Sequence, residues 1–118
     1  MLKFICYPKC TTCQKAKKWL DDNMIEYELR DIKADKPTLD ELRLWHAASG
    51  LPLKRFFNTS GLLYKSLDLK NRLPSMTEDE MLQLLSSDGM LVKRPLLIGE
   101  GWALVGFKES EWEDQLKE

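Results

Sequence analysis

The hydrophobic pattern of the chain changes its period at a pair of cysteines. Apolar side chains alternate along residues 2–6, which predicts a short buried strand. Pro8 ends this strand, because proline has no backbone N–H to donate to a sheet. Beyond it the spacing becomes that of an amphipathic helix, with apolar residues at Cys13, Ala16, Leu20 and Met24. The pattern therefore predicts a strand that leads into the N-terminus of a helix over about residues 11–23.

Three further apolar runs predict strands. The first covers about residues 26–32, with Tyr27 and Leu29 as its inward-facing side chains. The other two, at residues 94–98 and 102–105, flank a glycine-rich turn and are typical of a hairpin. Two strands joined through a helix form a parallel pair, and the hairpin adds to one edge of that sheet. This order predicts an α/β, thioredoxin-like (glutaredoxin-like) mixed sheet of about four strands.

The middle of the chain, about residues 38–88, is predicted to be a helical insertion. Capping boxes, in which two side chains satisfy the free amides at a helix start, indicate where helices begin. The pattern occurs at Thr38–Glu41 and Thr77–Glu80, and again at Ser110–Glu113 before the end of the chain. Gly50 is predicted to end the first of these helices. No linker interrupts the sequence, so residues 1–118 are expected to form a single domain.

The net charge, the lengths of the apolar runs and the number of cysteines limit the functions that the chain can be expected to have. The chain has 118 residues and a formal charge of −1, which gives no electrostatic reason to expect direct binding of nucleic acid or a membrane. No apolar run approaches the ~18 residues of a membrane span, and the first apolar run is too short for a secretion signal. We therefore expect a cytoplasmic protein in a reducing environment, where a structural disulfide does not persist. The three cysteines then indicate redox chemistry or a metal site.

Cys10 and Cys13 are the first candidates for chemistry. At positions i and i+3 of a helix start, their sulfur atoms lie close enough to form a disulfide or share a metal. Cys10 faces free N–H groups and follows Lys9, a setting that favours a thiolate, so it is the better nucleophile. Cys13 lies deeper and is the better resolving thiol. Two structural cysteines and a zinc site remain as alternatives, although zinc needs four ligands and the pattern offers only Cys6 and His46 besides the pair.

The dipeptide Arg94-Pro95 is the second candidate. A proline at the head of an apolar strand lies at an edge, at a strand start or in a special turn, and X–Pro bonds are able to adopt the cis form. An ordinary strand-entry proline explains the pattern equally well. Cys6 is in phase with the buried positions of the first strand and is expected to be a small buried residue that stays reduced.

Three blocks of sequence resemble one known family. They are residues 7–13, which contain the CxxC pair before a lysine-rich helix, residues 91–95, which end in Arg94-Pro95, and residues 105–107 before the last helix. In this order and at these separations they are similar to the ArsC/Spx family, over nearly the whole chain. The similarity extends to small ArsC-like and MgsR-like proteins of Gram-positive bacteria. It implies a thioredoxin-like fold with a helical insertion, a reactive Cys10, an Arg94 that faces its sulfur, and a cis-proline at Pro95.

The branches of that family imply different functions. Arsenate reductases linked to glutathione and glutaredoxin use one active cysteine and three arginines that bind the oxyanion. Here Arg94 matches one arginine, Asn58 occupies the position of another, and Cys13 stands where those enzymes lack a resolving cysteine. Spx regulators have the CxxC switch and the Arg-Pro pair, and they bind the α subunit of RNA polymerase.

We therefore expect a thiol–disulfide redox protein with Cys10 as nucleophile, Cys13 as resolving thiol and Arg94 as the third catalytic residue. The residues expected to bind a disulfide or oxyanion substrate are Lys9, Thr11, Thr12, Asn58 and Pro95. No bound cofactor or metal is expected, and glutathione, thioredoxin or glutaredoxin is the expected reductant. Arsenate reduction and redox-sensing regulation through RNA polymerase are the alternatives. Because Asn58 is neutral, arsenate reduction is expected to be weak or absent.

Overall fold

The computed structural model describes residues 1–116 and contains one four-stranded mixed sheet. Its strands are β1 (Leu2–Cys6), β2 (Tyr27–Asp31), β3 (Leu96–Gly99) and β4 (Trp102–Val105), in the spatial order β2-β1-β3-β4. β1 and β2 are parallel, whereas β3 is antiparallel to both of its neighbours. The predicted α/β class and thioredoxin-like sheet are confirmed. Lys117 and Glu118, which the predicted domain includes, lie outside the described residues.

The helices occupy both faces of the sheet. They are α1 (Thr11–Asp22), α2 (Leu39–Ser49), α3 (Leu62–Ser66), α4 (Leu69–Arg72), α5 (Glu78–Ser87) and α6 (Glu109–Leu116). Short 3₁₀ turns cover Leu53–Phe56, Leu73–Ser75 and Gly89–Leu91. The predicted insertion is therefore a chain of short helices between β2 and β3. Within residues 1–116, no helix combines the length and apolar character that a membrane crossing requires.

Alternation along the strands divides the core into two layers. Phe4 and Leu97 pack on the side of α1 and α6, with Ala16, Leu20 and Trp112. Their strand neighbours Ile5, Leu96 and Ile98 pack on the other side, among the buried residues of α2, α5 and the insertion. Because successive strand residues point to opposite faces, each central strand stabilises both layers. The CxxC segment follows the end of β1 after a short loop.

Local signals in the sequence place several helix ends correctly. Thr38 and Glu41 form a complete capping box at α2, and Thr77 and Glu80 form one at α5. Gly50 follows α2 with a φ of 68°, a left-handed conformation that glycine adopts without steric cost. The Arg94–Pro95 peptide bond is cis, as expected.

Three local predictions are wrong. Met24, assigned to the apolar side of the first helix, lies beyond the end of α1 and is 89% exposed. Leu29, predicted to face inward, is 54% exposed, because β2 is the edge strand and the helices that cover the centre of the sheet leave this position open. The predicted capping box at Ser110 does not begin α6. The backbone N–H of Trp112 donates to the carbonyl of Lys108, so the helix starts earlier and Ser110 lies inside its first turn.

Candidate functional site

Cys10 lies at the point where the loop after β1 turns into α1. It is the N-cap residue of this helix, and its extended backbone (φ −90°, ψ 124°) is typical of that position. The backbone N–H of Cys10 donates to the carbonyl of Tyr7 at 2.9 Å, which holds the loop closed. The Cys10 side chain makes no capping hydrogen bond, so its sulfur remains available beside the free amides of the first helical turn. This end of the helix dipole stabilises a negative charge.

Cys13 lies one turn deeper, in the core layer of α1. Its side chain is 2% exposed, and its sulfur accepts a hydrogen bond from the backbone N–H of Tyr7 at 3.3 Å. A hydrogen bond with the Cys6 thiol and burial raise the pKa of Cys13 above its ordinary value. Cys13 is therefore a protonated thiol at neutral pH, close to the sulfur of Cys10. All three cysteines are free thiols in this structure, and Cys6 is buried as expected.

A small cavity opens above Cys10. Its volume is about 240 Å³, and it lies between the start of α1, the insertion and the segment that leads into β3. Its lining residues are Cys10, Thr12, Asn58, Ser60, Gly61, Lys93, Arg94 and Phe107. The cavity therefore places a thiol, two cationic side chains and several hydroxyl or amide groups around one small volume.

Arg94 is the most unusual residue of this cavity. Its guanidinium lies over the ring of Tyr7, with 5.2 Å from Cζ to the ring centroid, which is a cation–π contact. Its Nη1 atom is buried and has no hydrogen-bond partner among the described residues. A buried donor without a partner is costly, so the arrangement is suited to an acceptor that arrives with a ligand. A thiolate or an oxyanion is such an acceptor.

Asn58 is held in place by the insertion. Its side chain is 8% exposed, and its backbone N–H donates to the carbonyl of Leu91 at 2.8 Å. Ser60 Oγ donates to Asn58 Oδ1 at 3.3 Å, which leaves the amide nitrogen as the free donor of that side chain. A Cβ atom on Gly61 would lie 2.8 Å from this nitrogen, so only glycine leaves room for the observed position. Asn58 therefore supplies a fixed neutral donor to the cavity.

The structure brings together some of the predicted site residues and separates others. Cys10, Thr12, Asn58 and Arg94 line one cavity, with Cys13 in the core near Cys10. Lys9 and Thr11 are exposed, and Pro95 is buried; none of these three is among the described residues that line the cavity, and their substrate-binding role stays a prediction.

Sequence reasoning missed Lys93, Ser60 and Phe107 as cavity residues. Lys93 precedes the Arg94-Pro95 pair, and Ser60 belongs to the Asn58 turn, but neither position has a pattern of its own. Arg55, the arginine in the turn before Asn58, lines a different cavity on the far side of the same segment. Among residues 1–116, no group of three or more histidine, cysteine or acidic side chains is arranged to hold a metal ion.

Comparisons with known proteins agree with this geometry. The ArsC family model matches residues 6–115, which include the CxxC pair, Asn58 and Arg94. The uncharacterized protein YusI of Bacillus subtilis is 50% identical over 113 residues, covering 96% of either chain. The regulatory protein MgsR of the same organism is 31% identical, over 93% of this chain and 86% of MgsR.

A solved structure leads to the same family. The crystal structure of a putative ArsC family related protein from Bacteroides fragilis is 57% identical, with a TM-score of 0.94 over 96% of this chain and 95% of the other. The match spans the sheet, the insertion and the segment around the cis-proline. With the family model matching nearly the whole chain and the fold shared along its length, this protein belongs to the ArsC family.

Proposed function

We propose that the protein is a thiol–disulfide oxidoreductase, with Cys10 as the nucleophile and Cys13 as the resolving thiol. The observation that carries the proposal is that Arg94, whose buried Nη1 atom has no partner among the described residues, lines the same cavity as Cys10. A fixed positive group beside a sulfur atom stabilises the thiolate that attacks and the negative charge that develops on the reacting sulfurs. The position of Cys10 at the helix N-terminus acts in the same direction.

The reaction proceeds in two exchange steps. The Cys10 thiolate attacks one sulfur of a disulfide R–S–S–R′, forms a Cys10–S–S–R bond and releases R′–S⁻, which takes up a proton. Cys13 then loses its proton and attacks the Cys10 sulfur, which forms the Cys10–Cys13 disulfide and releases R–S⁻. The substrate disulfide gains two electrons and the two cysteines lose two. A cellular dithiol or glutathione returns these electrons, which requires the reducing conditions of the cytoplasm.

The burial of Cys13 fits the resolving role. A thiol with a raised pKa is a poor nucleophile toward external disulfides at neutral pH, but it is effective once the Cys10 mixed disulfide lies beside it. The hydrogen bond from Tyr7 N–H supports the Cys13 thiolate as its proton leaves.

Arsenate is a weaker candidate substrate. A site that reduces it needs several fixed donors, because an oxyanion and a thiolate repel each other, and arginine serves best through its paired charge-assisted bonds. The cavity supplies Arg94, Lys93 and the neutral Asn58, whereas Arg55 lies on the other side of the segment. Among the described residues, Arg94 is the only arginine that lines the cavity, where the glutathione-linked arsenate reductases use three, and losing two such donors weakens oxyanion binding by about 10²–10³-fold.

The second candidate function is redox-sensing regulation, because the regulatory protein MgsR is similar to this chain over nearly its whole length. In that role the Cys10–Cys13 disulfide forms but no substrate turns over, and the partner is the α subunit of RNA polymerase.

Three measurements on one preparation test the proposal. The first is peptide mapping after mild peroxide, which is expected to find Cys10 bridged to Cys13 and Cys6 reduced. The second is steady-state turnover of a small disulfide and of arsenate, each with glutathione plus glutaredoxin and with thioredoxin. The third is binding to purified polymerase α subunit in the oxidised and reduced states. Disulfide turnover supports the proposal, whereas a bridge that forms without turnover and binds the α subunit replaces it with the regulator.

A further inference from the structure

The insertion encloses a second cavity that the thiol chemistry does not use. Its volume is about 620 Å³, within the range of sites that hold a small organic molecule. The segment of residues 57–61 separates it from the Cys10 cavity, so that Thr59 faces the second cavity while Asn58 and Ser60 face the first. Lys93 lines both. We call this second space the insertion pocket.

The charges of the insertion pocket are all of one sign. Lys54, Arg55, Lys70 and Lys93 line it, and no acidic residue is among the described residues that do so. None of these four cations forms an ion pair with a carboxylate within residues 1–116, although other surface lysines and arginines of this chain do. Cations brought together without counter-charges repel one another, and a polyanionic ligand relieves that repulsion.

The floor of the insertion pocket is apolar. Tyr64, Met76 and Met81 are half-buried side chains that line the pocket. The ring of Tyr64 packs against the buried Phe57, with ring centroids 6.4 Å apart. The accessible part of the Tyr64 ring can stack on a ring of a ligand, and methionine side chains adapt to its outline. An inorganic anion needs no such surface. The ligand that fits therefore has an aromatic ring as well as several negative charges.

We propose that the insertion pocket binds the nucleotide part of a nucleotide-linked thiol, so that the disulfide of that thiol is the substrate presented to Cys10. Phosphate groups suit the fork of Arg55 and the point charges of the lysines, and a nucleobase suits the aromatic floor. Lys93 joins the two cavities, so a ligand with a flexible arm can occupy both. This inference rests on the proposed function and names its substrate class.

The exchange follows the same electron balance. The Cys10 thiolate attacks one sulfur of the nucleotide-linked disulfide, forms a mixed disulfide and releases one equivalent of the free thiol. Cys13 then displaces the second equivalent as the Cys10–Cys13 bond forms. Each turnover produces two nucleotide-linked thiols and one oxidised protein, which glutathione or a dithiol reduces again.

The test compares disulfides that differ only in what accompanies the sulfur. The probes are coenzyme A disulfide as the nucleotide-linked substrate, oxidised glutathione as a carboxylate substrate, and bis(2-hydroxyethyl) disulfide as a neutral one. We expect kcat/KM to be highest for coenzyme A disulfide. The variants Arg55→Ala and Lys70→Ala should each lower kcat/KM for this substrate about 10-fold, the effect of losing one charge-assisted contact. Turnover of the neutral disulfide should stay within about twofold.

Two residues of the same insertion serve as matched controls. Lys65→Ala and Arg72→Ala each remove an exposed cation that does not line the pocket, and they should leave kcat/KM for all three disulfides unchanged. Equal kcat/KM for the three substrates, a preference for oxidised glutathione, or equal losses in control and pocket variants would overturn the proposal.

Binding without chemistry separates this inference from the proposed function. Calorimetry on the Cys10→Ser protein should detect adenosine 3′,5′-bisphosphate, which has no sulfur, with an affinity that falls about 10-fold in Arg55→Ala and declines with added salt. Adenosine should bind far more weakly. If no disulfide is turned over but the bisphosphate binds in this way, the proposed function fails and the pocket stands. If disulfides are turned over and the bisphosphate does not bind, the pocket assignment fails alone.

Discussion

The two faces of the sheet are built differently. On the α1/α6 face, Trp19, Phe107 and Trp112 form edge-to-face or tilted contacts with ring centroids 4.9–6.4 Å apart. Trp112 is fully buried and donates from Nε1 to the carbonyl of Gly106. The insertion face is mainly aliphatic, consists of several helices of which α2 and α5 begin with capping boxes, and contains the insertion pocket. The first face is a rigid support, and the second is a set of short elements around an open space.

In the proposed function the two faces have different roles: one positions the reactive cysteines and the other recognises the ligand. Large aromatic side chains with few rotatable bonds hold α1, and with it Cys10 and Cys13, in a fixed position. A 3₁₀ turn and the loop after it supply the residues proposed to meet a ligand, namely Arg55 on one side of residues 57–61 and Asn58 on the other. If this division is right, substitutions on the α1/α6 face should change reactivity, and substitutions in the insertion should change ligand recognition or make small changes in stability.

The largest effect is expected at Cys10. Cys10→Ser should lower disulfide turnover by about 10⁴-fold or more, because the nucleophile is removed. Cys13→Ser should still attack a disulfide, but the mixed disulfide on Cys10 should accumulate and be visible by intact-protein mass spectrometry. Cys6→Ser keeps both reacting sulfur atoms, so it should turn over disulfides without accumulating the mixed disulfide. A Cys13→Ser protein that accumulates no adduct, with an active Cys6→Ser, would place the nucleophile elsewhere.

The aromatic support should be costly to remove. Trp112→Ala should lower the free energy of unfolding by about 3–5 kcal/mol, because a large buried ring and its hydrogen bond to Gly106 are lost together. Urea denaturation followed by circular dichroism measures this change. Trp102→Ala, at a half-buried tryptophan on β4, should cost less. Equal losses in the two variants would mean that the full burial of Trp112 and its hydrogen bond to Gly106 add nothing to stability.

Arg94, which lies over Tyr7 and lines the Cys10 cavity, should affect activity rather than folding. Arg94→Leu should lower kcat/KM for disulfides by about 10–100-fold, since a charged donor to the reacting sulfur is lost. The rate at which iodoacetamide labels Cys10 at neutral pH provides the specific readout, and it should fall in the variant. Lys108→Leu, which removes a cation outside the cavity, should leave this rate unchanged. Equal labelling rates in wild type and Arg94→Leu would reject the role of Arg94.

The smallest effect concerns the ion pair that ties β2 to the insertion. Two hydrogen bonds from Arg30, at 2.6 and 2.8 Å, lower the pKa of Glu41 to about 2. The folded pKa lies below the unfolded value of about 4.3, so the stabilisation is complete above that pH and is lost as the pH falls toward 2. Allowing for solvent screening, about 1–2 kcal/mol should disappear over this range.

Glu41→Gln tests the origin of this acid sensitivity. Its free energy of unfolding should depend less steeply on pH between about 4.5 and 2 than that of the wild type. Urea denaturation at intervals of pH measures both slopes. Glu78→Gln, at an acidic residue exposed in the first turn of α5, is the control and should keep the wild-type slope. A wild-type slope in Glu41→Gln would mean that other carboxylates cause the acid sensitivity.

The sequence alone determined the features that depend on near neighbours. The alternation along residues 2–6, the capping boxes at Thr38 and Thr77, and the glycine at position 50 each set a local backbone preference that the tertiary contacts did not override. The cysteine pair was likewise evident, because a strand-to-helix junction defines which thiol meets free amides. The local signal at Ser110 was misleading, because α6 already begins at Glu109 and the Trp112 N–H bonds to the carbonyl of Lys108.

Only the tertiary structure decided which distant residues meet. Leu29 is exposed because strand order, which no local pattern encodes, places β2 at the edge of the sheet. Lys93 joins the Cys10 cavity, and Arg55 faces the insertion pocket, because the Phe57–Val92 bridge fixes how the insertion lies against the segment before β3. The spacing of apolar residues along the chain shows which face of a helix or strand a side chain lies on. It does not show which residues from other parts of the chain line the other side of a cavity. The composition of both cavities therefore depends on how the insertion packs against the sheet.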